Sequence, residues 1–174
     1  MNEPTEIIVT SRLCLRSPIS ADFQPLYEDV FSDAAVMALA LTGKPMSSTQ
    51  SLEFFQRNFD HEASGKKLGV LIERATTQVI GFAGLLPSDA LGETDYELGF
   101  VLRRSVWGHG YATEIGRGQL DYGFRVLGLT RLLALVSPAN QPSIAALRKI
   151  GMKFYCSVDN AERGSRNVFV AQKS

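Results

Sequence analysis

The segment running from Val101 to Thr113, VLRRSVWGHGYAT, ends a β-like run, turns through Gly108 and Gly110, and enters a helical pattern. The first N–H groups of a helix have no partner within it, and they sit at the positive end of its dipole. Glycines beside them let an anion approach the backbone closely, so this loop suits a phosphate or pyrophosphate. The residue types also say which phosphate sites it is not. A Walker loop needs Gly-Lys followed by Ser or Thr, and that pattern is missing. A dinucleotide fingerprint would take Gly108 and Gly110 as its first two glycines. Thr113 then stands at the third, and the position about 20 residues on is Thr130 rather than an acid.

Just upstream, the run Thr94–Leu102 alternates and carries Glu97 on the face of Gly99 and Val101, opposite Tyr96, Leu98 and Phe100. A carboxylate there suits proton removal from an amine. A lysine-like amine has a pKa of about 10.4, so presenting it neutral at pH 7 costs roughly 4–5 kcal/mol. A positioned base can take up that proton. Glu97 reads equally as a strand glutamate in a surface ion pair. Asp89, Glu93 and Asp95 precede it and either attract a cation or form a solvated loop. Downstream, Asn140 and Ser143 open another helix, where both residue types cap well and both could serve a ligand.

These groups need a scaffold. Ile7–Ser17 alternates as a strand, and Ser20 caps a helix with Phe23, Leu26, Tyr27 and Val30 on one face. Asp33–Leu41 reads as more helix, broken at Thr42–Pro45; Ser48–Gly65 is another, with Leu52, Phe55 and Phe59 inward. Lys67–Glu73 and Gln78–Leu85 are strands about the turn Arg74–Thr77. Gly110–Leu127 is a helix whose inner stripe is Ala112, Ile115, Gly116, Leu120, Gly123, Phe124 and Leu127. Two glycines on that stripe permit close approach to a sheet. Arg131–Ser137 is a strand, Pro142–Ile150 a short helix closed by Gly151, and Met152–Val158 and Asn167–Ala171 are final strands. The order is βααβββαβαββ. A helix joins strands 94–102 and 131–137, which makes them a right-handed parallel βαβ unit. The other connections are hairpins. The expectation is one α/β (α+β) domain over residues 1–174, with a mixed, mostly antiparallel sheet of about six or seven strands and helices on both faces.

The second segment, from Asn140 to Met152, reads NQPSIAALRKIGM. Together with the glycine loop it resembles the GNAT superfamily of N-acetyltransferases, and within it the branch of ribosomal-protein alanine N-acetyltransferases. That family carries Arg/Gln-x-x-Gly-x-Gly-Gly/Ala before a helix, and later Asn, Ser or Ala, Leu or Tyr, and Gly-Phe at set spacing. The resemblance extends to Thr10–Arg16 and to Glu97-Leu-Gly-Phe100, and so spans nearly the whole chain in order. Three positions depart from it. Ser105 replaces the usual Arg or Gln, for which Arg103 or Arg104 could compensate. Leu147 stands where many members have a tyrosine thought to protonate the leaving thiolate. Met152 replaces phenylalanine.

The resemblance implies an enzyme with acetyl-CoA as co-substrate; His61 and His109 make no metal site, and without a CxxC, HExxH or clustered His/Asp pattern no metal is expected. CoA would lie where strands 94–102 and 131–137 splay apart, with backbone groups of Phe100, Val101 and Leu102 pairing with pantetheine like an added strand. An amide near Phe100 or Val101 would meet the oxyanion. Arg103 and the backbone of Trp107, Gly108, His109, Gly110, Tyr111, Ala112 and Thr113 would bind the pyrophosphate. Asn140 would bond pantetheine or cap its helix, Ser143 would hydrogen-bond the sulfur, and Glu97 would be the base. Trp107 and Tyr111 default to core packing and His109 to a solvent-facing spacer; His61 reads as an exposed helix residue.

The acceptor would enter beside residues 21–64 and the turn 158–166. Leu39–Thr42 is apolar and neutral there, which suits a protein N-terminus, an amino acid or a small amine rather than a polycation. Two other functions compete: an idle acyl-CoA-binding sensor or scaffold, which Ser105 and Leu147 favour, and a Rossmann-like dinucleotide protein, which the strand order disfavours.

Composition agrees with a globular enzyme. The 174 residues are 45% hydrophobic, enough for a core, and 18 basic residues balance 18 acidic ones. Zero net charge argues against wholesale attraction to nucleic acid or membrane surfaces. No apolar run approaches the roughly 20 residues that span a bilayer. The N-terminus lacks a signal-peptide pattern, and Cys14 and Cys156 read as free thiols, so a cytoplasmic location is expected. A C-terminal edge strand offers a place for a homodimer.

Overall fold

The computed structural model describes residues 3–174. Eight strands form one sheet: β1 (Glu6–Val9), β2 (Leu13–Arg16), β3 (Leu68–Glu73), β4 (Gln78–Ser88), β5 (Asp95–Leu102), β6 (Arg131–Val136), β7 (Lys153–Asn160) and β8 (Gly164–Gln172). Their order is β1-β2-β3-β4-β5-β6-β8-β7. Every neighbouring pair is antiparallel except β5 and β6. The expected mixed, mostly antiparallel sheet is present, with one strand more than the alternation pattern implies. The run 7–17 is a hairpin, not one strand. Its corner is the polar triplet Thr10-Ser11-Arg12, where the Thr10 amide donates to Leu13 O at 2.9 Å. The C-terminal edge strand is β7.

Strand alternation sends side chains to two cores. Cys14, Val70, Ile72 and Phe82 pack against Leu26, Val30, Phe31, Phe55 and Phe59. These belong to a helical stretch containing α1 (Phe23–Leu26) and to the α3 region (Ser48–Asn58), with α2 (Ala34–Met37) between. Leu13, Leu15 and Leu71 face the other way onto Tyr111 and Ile115 of α4 (Tyr111–Asp121). Farther along that face, Leu98, Leu132, Ala134 and Phe169 meet Ile144 and Leu147 of α5 (Gln141–Lys149). Helices thus cover both faces.

One helix ends earlier than its pattern suggests, and another keeps its length but changes pitch. α3 stops at Asn58 because Phe59 turns to extended backbone and is wholly buried, forming a parallel bridge with Leu68. Asp60 then closes the following loop by accepting from the amides of Ser64 at 2.8 Å and Gly65 at 2.7 Å. His61 accordingly lies beyond the helix. α4 widens into a π-turn at Tyr122–Val126 before Gly128.

Glycines set how closely the layers approach. A Cβ on Gly123 would stand 2.6 Å from Leu132 Cδ1 in β6, which confirms the close helix–sheet contact expected of this stripe. At Gly84 in β4 a Cβ would meet Lys67 O at 2.4 Å and Leu68 Cα at 2.8 Å, atoms of backbone that cannot step aside. We expect Gly84→Ala to cost about 1–3 kcal/mol, the range for overpacking a filled interior. Urea denaturation checks this, and a midpoint equal to wild type would contradict it.

Candidate active site

The parallel pairing of β5 with β6 holds at one register position, Glu97 opposite Leu133. Past it the strands part. Residues 97–102 and 134–137 then form two walls of a cavity of about 760 Å³, within the usual range of small-molecule sites, about 300–1,000 Å³. The parting is supported from α4. Gln119 lies wholly buried and donates from Nε2 to Gly99 O at 3.2 Å, while its Oε1 has no partner among the described residues. An added Cβ on Gly99 would meet nothing within 4 Å, so the wall is open at that point.

The glycine loop lies at one end. Gly110 is the N-cap of α4 in left-handed backbone and supplies no capping side chain, so the chain itself leaves the first-turn amides uncapped. Gly108 shares that backbone region at φ +79°, with open space where a Cβ would be. Both features fit a phosphate group. The loop is braced from the far end of the chain. Arg12 donates from Nη1 to His109 O at 2.8 Å, pairs through Nε with Glu114 Oε1 at 2.7 Å, and lies 4.5 Å from the centre of the Tyr111 ring. Burial pushes the Glu114 carboxyl up, but hydrogen bonds from Thr10 and from Arg12 outweigh it and hold the group below its ordinary value.

Of the residues expected at the site, all but Arg103 and His109 line this cavity. Arg103 instead donates to Gln78 Oε1 at 2.8 Å and Val79 O at 3.1 Å. Arg104 pairs with Asp33 at 2.9 Å. Both guanidiniums are thus engaged away from the loop, and among the described residues Arg12 is the cation that hydrogen-bonds it, at His109 O. His109 Nδ1 faces two carbonyls, Val106 O at 2.8 Å and Trp107 O at 3.1 Å, so this nitrogen carries the proton and ties the turn. Trp107 is not core: it is 48% exposed, and its indole N–H donates to Leu102 O at 2.9 Å, where the β5 ladder ends. Tyr111 is buried, as its default reading has it. Its hydroxyl donates to Glu73 Oε1 at 2.6 Å, and this bond holds its pKa above the usual phenol value.

At the next strand end, Asn140 Oδ1 accepts from the Ser143 amide at 3.2 Å, so Asn140 caps α5 and the Ser143 side chain does not. Leu147, where the resemblance leads one to expect a tyrosine in many members, lines the cavity. Among the carboxylates before and in β5, Asp95 and Glu93 are both taken by Arg131, at 2.6 and 3.0 Å. Glu97 is half-buried, and among the described residues its carboxylate makes one polar contact, with Arg163 at 3.3 Å. The far end of the cavity is apolar, with Ala40, Leu41, Phe54, Phe82 and Leu86, and Arg166 stands among them.

Sequence reasoning missed Arg12, Gln119, Arg163 and Arg166. Gln119 had a signal, a polar residue four after Ile115 on the apolar stripe of α4. The arginines had none, because each acts on a segment remote in sequence.

This fold and cavity define an acyl-CoA transferase architecture, and comparison with known proteins agrees. Residues 12–153 match the Acetyltransferase (GNAT) domain family. The uncharacterized protein YkkB of Bacillus subtilis is 33% identical over 155 residues, covering 88% of each chain. The uncharacterized N-acetyltransferase YnaD of the same organism is 32% identical, covering 84% of this chain and 82% of its own. A GNAT-family acetyltransferase structure from Bacillus anthracis superposes with a TM-score of 0.79 at 25% identity, covering 95% of this chain and 97% of that one. RimL, a ribosomal L7/L12 α-N-protein acetyltransferase solved with coenzyme A, shares the fold at a TM-score of 0.77 and 16% identity, covering 96% and 97%. The chain belongs to the GNAT acetyltransferase family. It is an acetyl-CoA-dependent N-acyltransferase. No helix of the described residues is long and apolar enough to cross a membrane.

The Arg12–Glu114 brace has a testable pH dependence. A carboxylate with a lowered folded pKa adds stability above its unfolded pKa and loses it as pH falls through the folded value. Glu114→Gln should therefore lower stability at pH 7 by less than about 1 kcal/mol, as for other exposed pairs. The gap from wild type should close as the solution is brought below the ordinary carboxylate range. Urea melts at the two pH values measure this; a gap that persists in acid would refute the ion-pair origin.

Proposed function

We propose that this protein transfers an acetyl group from acetyl-CoA to a primary amine by direct attack in a ternary complex, with Glu97 as base and Ser143 beside the leaving sulfur. The observation that carries the reading is that Glu97 and Ser143 line one cavity, opened by the parting of β5 and β6 and ending at an uncapped helix N-terminus. Acetyl-CoA supplies a thioester: the amine nitrogen bonds its carbonyl carbon, the C–S bond breaks, and the electron pair leaves on sulfur. The rest falls to the chain. Backbone of Phe100–Leu102, freed from β6, pairs with the extended pantetheine. Amides from Gly108 to Thr113 take the pyrophosphate, with Arg12 holding their turn in shape. Glu97 accepts the amine proton, directly or through water. Its single 3.3 Å contact leaves lone pairs for that task.

The leaving thiolate has a hydroxyl within the cavity in Ser143 but no tyrosine. Leu147 has replaced one, and the Tyr111 proton is committed to Glu73. The acceptor class includes protein N-termini, which the likeness to RimL supports, amino acids and small amines. A second reading, an acyl-CoA sensor without turnover, draws on Leu147 and Ser105.

Turnover of acetyl-CoA by the purified protein over amines, amino acids and short peptides, with free thiol detected, tests the reading. Glu97→Gln should lower kcat about 10²- to 10⁴-fold, the usual worth of a general base, and leave acetyl-CoA affinity nearly unchanged. Tight CoA binding with no amine-dependent thiol release would favour the sensor. Absence of CoA binding would defeat both.

A further inference from the structure

The charges at the acceptor end of the cavity are not those of a site for a simple amine. Glu97 is the carboxylate that lines it, and the same lining holds Arg163 and Arg166. Arg163 touches Glu97 at 3.3 Å. Arg166 is 9% exposed, and its hydrogen bonds go to two neutral carbonyls, Ser165 O at 3.0 Å and Leu41 O at 3.1 Å. Among the described residues it has no carboxylate in ion-pair reach. Burying a guanidinium without a counter-charge is costly. Desolvation and then the nearby Arg163 push its pKa down, which marks the same unmet charge. Had its task been only to hold the loop at Leu41, a neutral amide donor would have avoided that cost. Two arginine forks with one carboxylate form the complement of a molecule that carries an ammonium and a carboxylate on the same carbon. Around them lie Ala40, Leu41, Phe54, Phe82 and Leu86, a wall for an apolar group.

We infer that the acceptor is a free α-amino acid with an apolar side chain, its carboxylate held by Arg166 and Arg163 and its amine delivered to Glu97. This rests on the acyl-transfer reading above and names its substrate. The Arg163–Glu97 contact is then a placeholder. The incoming carboxylate draws Arg163 away, and the freed Glu97 meets the ammonium. A peptide N-terminus has an uncharged amide where the free acid has its carboxylate, and leaves Arg166 unpaired.

The test uses the full chain, acetyl-CoA and matched probes: L-leucine, L-methionine and L-phenylalanine, the amide of each, isoamylamine, and a tripeptide beginning with leucine. An amino-acid amide carries the less basic amine, so intrinsic reactivity at neutral pH favours the amide and any preference for the acid must come from the site. The acids should exceed their amides in kcat/KM by about 10- to 100-fold, the worth of a hydrogen bond to a charged group. In Arg166→Gln and Arg163→Gln that ratio should collapse toward one. The wild-type ratio decides alone if Arg166→Gln does not fold, since Arg166 also supports the Leu41 loop. Equal or better use of the amides, isoamylamine or the tripeptide overturns the carboxylate assignment and leaves acyl transfer standing. An unchanged ratio in a folded Arg166→Gln protein does the same. Silence with every probe while CoA remains bound overturns the amino-acid assignment, and thiol release with another amine of the wider panel then keeps acyl transfer standing.

Discussion

Parallel strands that pair at one position and then diverge leave backbone donors and acceptors facing a gap, and such groups must find partners or bear the cost of burial. In this protein the gap between β5 and β6 is held open by specific contacts. Gln119 reaches across from α4 to Gly99 O, and the Trp107 indole occupies Leu102 O at the end of the strand. Between them the wall remains available to a ligand that can act as a strand. The cost is visible in Gln119, whose own carbonyl oxygen is buried without a partner among the described residues. Glu97 on one side, Ser143 on the other and the glycine loop below take their places from this separation. Closing the seam would remove the site while leaving both cores in place.

The same seam explains why distant segments converge. β5 runs into the glycine loop, β6 runs into α5, and the two C-terminal ends therefore present helix starts side by side. The N-terminal hairpin packs under the first of these, so that Arg12 reaches the His109 carbonyl and Glu114. The C-terminal hairpin closes the other side: β8 pairs with β6, and its turn carries Arg163 over Glu97.

The parts of this arrangement that are local in sequence are legible there. Glycine positions, the cap at Asn140, the alternation that places Glu97 opposite Leu98, and the parallel pair formed by strands 94–102 and 131–137 each follow from a few neighbouring residues. The hairpin within 7–17 is hidden because its corner preserves the hydrophobic alternation on both sides, and only tertiary capture of Thr10 and Arg12 by Glu114 reveals it. Trp107 departs from what its residue type suggests: a large aromatic defaults to the core, but here the N–H has a carbonyl to satisfy at a strand end. Arg103 departs for a related reason. Nearness in sequence to the phosphate loop says nothing about side-chain direction, and its guanidinium serves β4. Arg166 lies beyond any local rule, since its meaning depends on what is missing around it.

The loss of the family tyrosine at Leu147 bears on the proposed reaction through magnitudes. A thiol has a pKa of about 8.5, so expelling it as thiolate at pH 7 forgoes only about 2 kcal/mol relative to the protonated product. A lysine-like amine at pH 7 must lose a proton worth roughly 4–5 kcal/mol before it can attack, and an α-amine near 8 about 1 kcal/mol. The step that most needs help is therefore deprotonation when the acceptor is strongly basic, and it sits at Glu97. Protonation of sulfur can be left to a hydroxyl or solvent. For a strongly basic acceptor, a site with the carboxylate and no phenol holds the group that acts on the costlier proton transfer; for an α-amine both transfers cost only about 1–2 kcal/mol, and Leu147 packs α5 against the sheet. Leu147 is therefore compatible with turnover and lends the sensor reading little weight.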